Sequence, residues 1–415
     1  MRGFLLHRRL KFRRIVSIIV LSLGESNQRW QRNLIPSSMN PRNVLFIAEG
    51  QLGDLLLLTP ALQSVKNTFP SARLSVLVVN RRGSHAKGTG TCMRVGEEQD
   101  TAWQVLSGNP AIDQVFVVNR TDLRSLHGLR RVMAELACVR YLRKKKFDTV
   151  VCTFPEDRFT LWAYFSGAKV RVGQSAQAFH WLLTHNHDSG QPRKSVLRSY
   201  CDLASLIGAK TETQDLLFVV SHASRSWADE FLQARGLGGN QTVVAIHPGA
   251  TGNYKIWPPE RYASLIDRLQ SKNNIRTILC SSSEDSPIVQ EIKRSVTTEC
   301  VDVNTGDDIG HLGALMKRCS LCISNDSGPR HLSVAVGTRS LGLLRQFHDR
   351  EWKVYPEDDN HSTLQSKRQC PACPSGSCLD RIPDGEQYGS YCLRMIDVDE
   401  VVDRANELLS NCRGT

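Results

Sequence analysis

The chain has 415 residues, 40% of them hydrophobic, 23% charged and 7% aromatic, enough for two or three separate cores. Such a composition excludes collagen, coiled-coil and wholly disordered architectures. The formal charge of +12 would by itself suggest nucleic acid, an anionic membrane surface or a phosphorylated substrate.

In chain order the first segment, residues 1–42, holds most of that charge: nine Lys and Arg against Glu25 alone, a net +8. The rest carries only +4, so nucleic acid is not an expected partner. The apolar run Ile15 to Leu23 is too short to span a bilayer, which takes about 20 residues. Gly24-Glu25-Ser26 offers no small-x-small cleavage site. Met39 stands four residues before the first strand, which leaves three readings of this leader: an upstream start that is not translated, a basic peripheral tail, or an export signal.

Beyond it, continuous apolar runs at 43–48, 74–79, 114–118 and 149–153 predict buried parallel strands, with helices around 55–68, 122–146 and 195–208. Residues 81–108 are polar and glycine-rich and read as a surface insertion. The pattern breaks over 209–240. It resumes with strands at 242–247, 277–280, 321–324 and 340–344 and helices at 259–272, 285–297, 309–318 and 329–336. An amphipathic helix at 397–409 closes the chain. Alternation at this spacing predicts an α/β protein with parallel sheets covered on both faces. The expected organisation is a leader at 1–42, an N-terminal domain at 43–215, a C-terminal domain at 240–396 and a closing helix at 397–411.

Three stretches between a strand and a helix carry chemistry. Gly50-Gln-Leu-Gly53-Asp54 lets backbone approach a ligand, and the Asp54 carboxylate suits a general base; the plain structural reading is a helix cap. His247-Pro-Gly-Ala-Thr251-Gly-Asn-Tyr-Lys255-Ile-Trp257 offers free backbone amides and a cation for a phosphate, or else an exposed loop with Trp257 packed inward. Asn325-Asp326-Ser327-Gly328-Pro329-Arg330-His331 places acceptor and donor groups at a helix start, where a pyrophosphate is favoured. Its structural reading is Ser327 as N-cap and His331 as a partly buried helix residue.

Together these motifs resemble the ADP-heptose:lipopolysaccharide heptosyltransferases, glycosyltransferase family 9, over roughly 43–411. The resemblance implies a GT-B fold, two Rossmann-like domains facing across a cleft, and inverting transfer of heptose from ADP-heptose to an anionic, lipid-linked inner-core-like acceptor. Asp54 would be the base, with Gly50 and Gly53 allowing close approach. Thr251 and Lys255 would hold the diphosphate, Asp326, Ser327, Gly328 and His331 the heptose and phosphates, and Glu284 or Asp285 the nucleoside. The enzyme would be cytoplasmic, touch the inner membrane peripherally and require no cofactor. Two alternatives stand beside this: a GT-B transferase using another nucleotide sugar, and a non-catalytic sugar-nucleotide-binding protein. The chain departs from the family pattern at Glu49, where a basic or apolar residue is usual and which alters charge beside the acceptor. It departs also at Arg193-Lys194-Ser195, where a histidine is common.

Thirteen cysteines remain. Nine lack framework spacing and fit buried thiols in a reducing compartment. Cys370, Cys373, Cys378 and Cys392 leave structural zinc, free thiols and disulfides open. His180, His185 and His187 read as solvated loop residues rather than a metal site.

Overall fold

A computed structural model describes residues 40–80, 93–175, 178–187, 195–272, 274–345, 354–356, 358–366 and 382–410. Within the compact unit that begins at Asn40, two parallel sheets form two lobes.

The N-terminal lobe runs β1 (Asn43–Gly50), α1 (Leu52–Thr68), β2 (Arg73–Asn80), β3 (Arg94–Val95), α2 (Thr101–Leu106), β4 (Gln114–Asn119), α3 (Arg120–Ser125), α4 (Gly128–Lys145), β5 (Thr149–Cys152), α5 (Asp157–Phe165), β6 (Val170–Gln174), β7 (His185–His187) and α6 (Val196–Ser205). Among the described residues its seven strands lie in the order β3-β4-β2-β1-β5-β6-β7, with only β3 antiparallel to its neighbour. The C-terminal lobe runs α7 (His222–Ala234), β8 (Thr242–His247), α8 (Pro259–Gln270), β9 (Ile275–Ser281), α9 (Ser286–Ser295), β10 (Val301–Asn304), α10 (Ile309–Lys317), β11 (Leu321–Asn325), α11 (Gly328–Ala335), β12 (Arg339–Leu343), β13 (His361–Leu364) and α12 (Val398–Ser410). Its six strands among the described residues are ordered β10-β9-β8-β11-β12-β13, all parallel.

These orders fix where a ligand can sit. Strand order reverses between β1 and β5 in one sheet and between β8 and β11 in the other, and parallel sheets open crevices at such points. The three stretches singled out in the sequence follow β1, β8 and β11, so each starts at a crevice.

Local chemistry explains the helix after β1. Pro60 inside α1 cannot donate to the Leu56 carbonyl, and the Thr59 hydroxyl donates there instead at 2.7 Å. The same oxygen accepts the Leu217 N–H at 3.0 Å, tying the connection between lobes to α1.

Several expectations are corrected. The helix expected over 122–146 is two, because the chain turns at Leu126-His127 and Gly128 adopts φ +54°. Within the expected insertion 81–108, residues 94–95 and 101–106 are a strand and a helix, and Ala102, Val105 and Leu106 are buried. The break at 209–240 contains α7, whose Trp227 stacks on His311 of α10 at 4.1 Å. His185 and His187 lie on β7 rather than in a loop, and His187 Nε2 is 3.3 Å from Asp202.

Candidate functional site

On the N-terminal side, β1 ends at Gly50, where a Cβ would lie 2.3 Å from Val78 Cγ1 and 2.6 Å from Asn80 Oδ1. Only glycine fits there. Helix α1 begins two residues on with Gln51 as its N-cap residue, and Asp54 stands third in the helix. Asp54 is therefore not the N-cap. Its half-buried carboxylate sits in the first turn, at the positive end of the helix dipole and the carboxyl end of the sheet. Beside it, a Cβ on Gly53 would come within 2.9 Å of His331 Cδ2 from the opposite lobe. A Cβ on Gly328 would meet Leu52 Cβ at 2.8 Å. The starts of α1 and α11 thus touch through two glycines.

Behind Asp54 lies a charge frame. Glu49 is 4% exposed and pairs with Arg120, which follows β4 and also lies 3.2 Å from Glu156 after β5. The ends of β1, β4 and β5 are joined this way, across β2, which lies between β4 and β1. The negative charge expected from Glu49 beside an acceptor is compensated by its arginine.

On the C-terminal side, Asn325 organises the donor loop. Its side chain is fully buried, accepts from the Trp257 N–H and the Tyr262 hydroxyl, each at 3.0 Å, and donates to the Pro248 carbonyl at 2.6 Å. Trp257 packs inward, as its structural reading expected, with Nε1 3.1 Å from the Ile396 carbonyl. The loop between these anchors carries Thr251, exposed, and Lys255, whose Nζ is 3.5 Å from Asp326 Oδ2.

Glu284 is exposed on the turn after β9, while Asp285 faces inward. The Asp285 carboxylate accepts from the Ser282 N–H and hydroxyl at 2.9 and 2.7 Å, and Oδ2 is 3.7 Å from His247 Nε2. A Cβ on Gly249 would overlap that carboxylate at 1.9 Å, so the phosphate-type loop can lie against Asp285 only with glycine there.

At α11, Ser327 is the N-cap residue, yet its hydroxyl donates back to the Asn325 carbonyl at 3.4 Å and makes no cap bond. The first helical N–H groups are therefore not capped by that side chain. His331 is 2% exposed, and its Nδ1 lies 2.5 Å from the Tyr355 hydroxyl oxygen. Burial, with Arg330 and Lys255 adding positive charge nearby, pushes the His331 imidazole down to about 3. It is neutral at physiological pH. Burial also raises the Tyr355 phenol, which stays protonated.

Gly53, Gly328, Asp326, Lys255 and His331 thus meet at the lobe junction, with Asp54 next to Gly53. Thr251 and Glu284 lie farther out on exposed turns. Cys370, Cys373 and Cys378 fall outside the described residues; Cys392 is buried, 3.5 Å from the Ser390 hydroxyl. Among the described residues no group of three or more His, Cys, Asp and Glu is placed to hold a metal. Burial pushes the thiols of Cys152 and Cys322 up to about 12 and that of Cys300 up to about 11, which keeps them protonated. Sequence reasoning quoted Asn325 without giving it a role and missed Arg120 and Tyr355. Asn325 was within reach, as a polar residue ending an apolar strand.

The profile of "Glycosyltransferase family 9 (heptosyltransferase)" matches residues 136–380, more than half the chain. Lipopolysaccharide heptosyltransferase 3 of Escherichia coli is 24% identical over 370 residues, covering 88% of this chain and 98% of that protein. Among solved structures, a family 9 glycosyl transferase from Veillonella parvula DSM 2008 superposes with a TM-score of 0.70 at 22% identity, covering 90% of this chain and 98% of that one. E. coli heptosyltransferase WaaC with ADP-2-deoxy-2-fluoro heptose gives 0.60 at 15% identity, covering 88% and 99%. The fold is GT-B, and the chain belongs to glycosyltransferase family 9, the heptosyltransferases.

Proposed function

We propose that this enzyme transfers heptose from ADP-heptose to an anionic, lipid-linked saccharide of the lipopolysaccharide inner core, with inversion at the anomeric carbon. The observation that carries the reading is the contact of Gly53 with His331. It brings the loop holding a carboxylate against the loop suited to a diphosphate. WaaC, which shares this fold, was solved with an ADP-heptose analogue, and E. coli relatives are named for lipopolysaccharide.

In this reading Asp54 takes the proton of the acceptor hydroxyl as its oxygen bonds to C1 of the heptose. The bond from C1 to the β-phosphate oxygen breaks, and ADP leaves with the electron pair. Lys255 and the first N–H groups of α11 receive the charge that develops on the diphosphate, so the reading invokes no metal or cofactor. Asp326, Ser327, Gly328 and His331 hold the sugar and phosphates, Thr251 adds a hydroxyl to the phosphate loop, and Glu284 reaches the nucleoside from its exposed turn. The lipid-linked acceptor places the enzyme peripherally on the cytoplasmic membrane face. Among the described residues no helix is long and apolar enough to cross a membrane.

Calorimetric titration with ADP-heptose, UDP-sugars and GDP-sugars tests the donor. ADP-heptose should bind at least about tenfold tighter than the others, since buried polar groups reject donors that leave them unpaired. Tighter binding of a UDP- or GDP-sugar overturns the donor assignment. Binding of ADP-heptose without product across a panel of inner-core acceptors would instead favour a non-catalytic protein.

A further inference from the structure

Four of the exposed large hydrophobic side chains lie on one helix. Leu129 is 76% exposed, and Val132, Met133 and Leu136 are exposed with it along the first half of α4. Their spacing of three and four residues puts them on one face. The same face continues through Arg140, Arg143 and Lys144, all exposed. The opposite face buries Ala134, Cys138 and Leu142 in the N-terminal lobe. Glu135, the only acid of the helix, is turned to Arg158 at 3.0 Å and to Trp162 Nε1 at 2.9 Å. The outward face is therefore apolar in its first two turns, flanked by exposed Arg130, and purely basic in its last.

We propose that this face of α4 docks the enzyme on an anionic bilayer. Leu129, Val132, Met133 and Leu136 enter the interfacial layer, and Arg140, Arg143 and Lys144 meet lipid phosphates. An apolar face continued by like charges is the composition of helices that lie in a membrane surface. A second copy of the chain fits it less well: a parallel two-fold contact sets the basic turns against each other, and an antiparallel one sets them against the partner's apolar turns. The position also suits the chemistry. Helices between parallel strands start at the carboxyl edge of the sheet, so the apolar turns of α4 lie at the edge that carries Asp54. Docking there brings a lipid-linked hydroxyl to the side of the lobe where the base stands.

The inference rests on the lipid-linked acceptor reading but is tested without it. The full chain is sedimented with vesicles of phosphatidylcholine alone and of phosphatidylcholine mixed with phosphatidylglycerol. Wild type should partition onto the mixed vesicles and be released by salt. The double variant Leu129→Asp/Met133→Asp should lower the partition coefficient at least about tenfold with its thermal melting unchanged, since these side chains support no internal packing. The triple variant Arg140→Glu/Arg143→Glu/Lys144→Glu should lose the preference for phosphatidylglycerol. Unchanged partitioning of both variants overturns the proposal. So does a wild-type dimer that Leu129→Asp/Met133→Asp converts to a monomer without any vesicle binding. Neither result depends on donor or turnover, so failure here leaves the proposed reaction standing, and failure of the reaction leaves docking standing.

Discussion

His331 Nδ1 lies 2.5 Å from the hydroxyl oxygen of Tyr355, and this bond sets which edge of the imidazole faces Gly53. In the tautomer with Tyr355 donating, the ring keeps its proton on Nε2, the nitrogen on the side of α1. Tyr355→Phe removes that control while leaving the ring buried. We predict a kcat roughly tenfold lower with donor KM changed less than about threefold, the pattern of lost orientation rather than lost binding. The wild-type rate–pH profile should show no inflection from His331 between pH 5 and pH 9. A Tyr355→Phe enzyme with unchanged kcat would remove Tyr355 from the account.

The contact at Gly53 gives a second test. Its backbone is not in the left-handed region, so Gly53→Ala strains no dihedral, and the added methyl instead pushes on His331 from 2.9 Å. Displacement of reacting groups by a fraction of an ångström should cost about tenfold or more in kcat, with melting temperature nearly constant. Steady-state kinetics beside a thermal melt check this. A fall in stability with normal kcat would mean that the contact is only packing.

The buried ion pair predicts an asymmetry. Arg120→Ala removes the arginine that pairs with Glu49, which is 4% exposed, and should destabilise the N-terminal lobe by about 3 kcal/mol. Glu49→Gln/Arg120→Gln removes both charges and should recover most of that loss. Urea unfolding of the two variants measures the difference, and equal destabilisation in both would contradict the pairing.

Much of this was legible in the chain, for a physical reason. Strands such as 43–50 and 242–247 are buried on both faces, so they read as unbroken apolar runs. The strands that escaped, β3, β6, β7, β10 and β13, are short and lie at or next to sheet edges, where polar residues such as His185, His187 and Asp302 replace the apolar run. Helix α7 was hidden because Ser224, Ala228 and Leu232 are its only buried positions, too thin a stripe to mark a period. The site divides the same way. Lys255 and Asp326 stand in strand-to-helix connections, and Asp54 and His331 in the first turn of the helices that follow, where glycines announce them. Tyr355 stands 24 residues from the histidine it holds, with no spacing rule to connect the two. Arg120 is likewise 71 residues from Glu49, and only the order of strands brings them together.

The assignment of Asp54 as the base bears the most weight and is also the most directly testable. Release of ADP from ADP-heptose in the presence of an inner-core acceptor is compared for wild type and Asp54→Ala, alongside calorimetric binding of ADP-heptose to each. Removing a general base costs about a hundredfold to ten-thousandfold in rate without touching the donor contacts. The account predicts a loss of that size with donor affinity within about twofold of wild type. Turnover retained in Asp54→Ala, with donor binding intact, would contradict it.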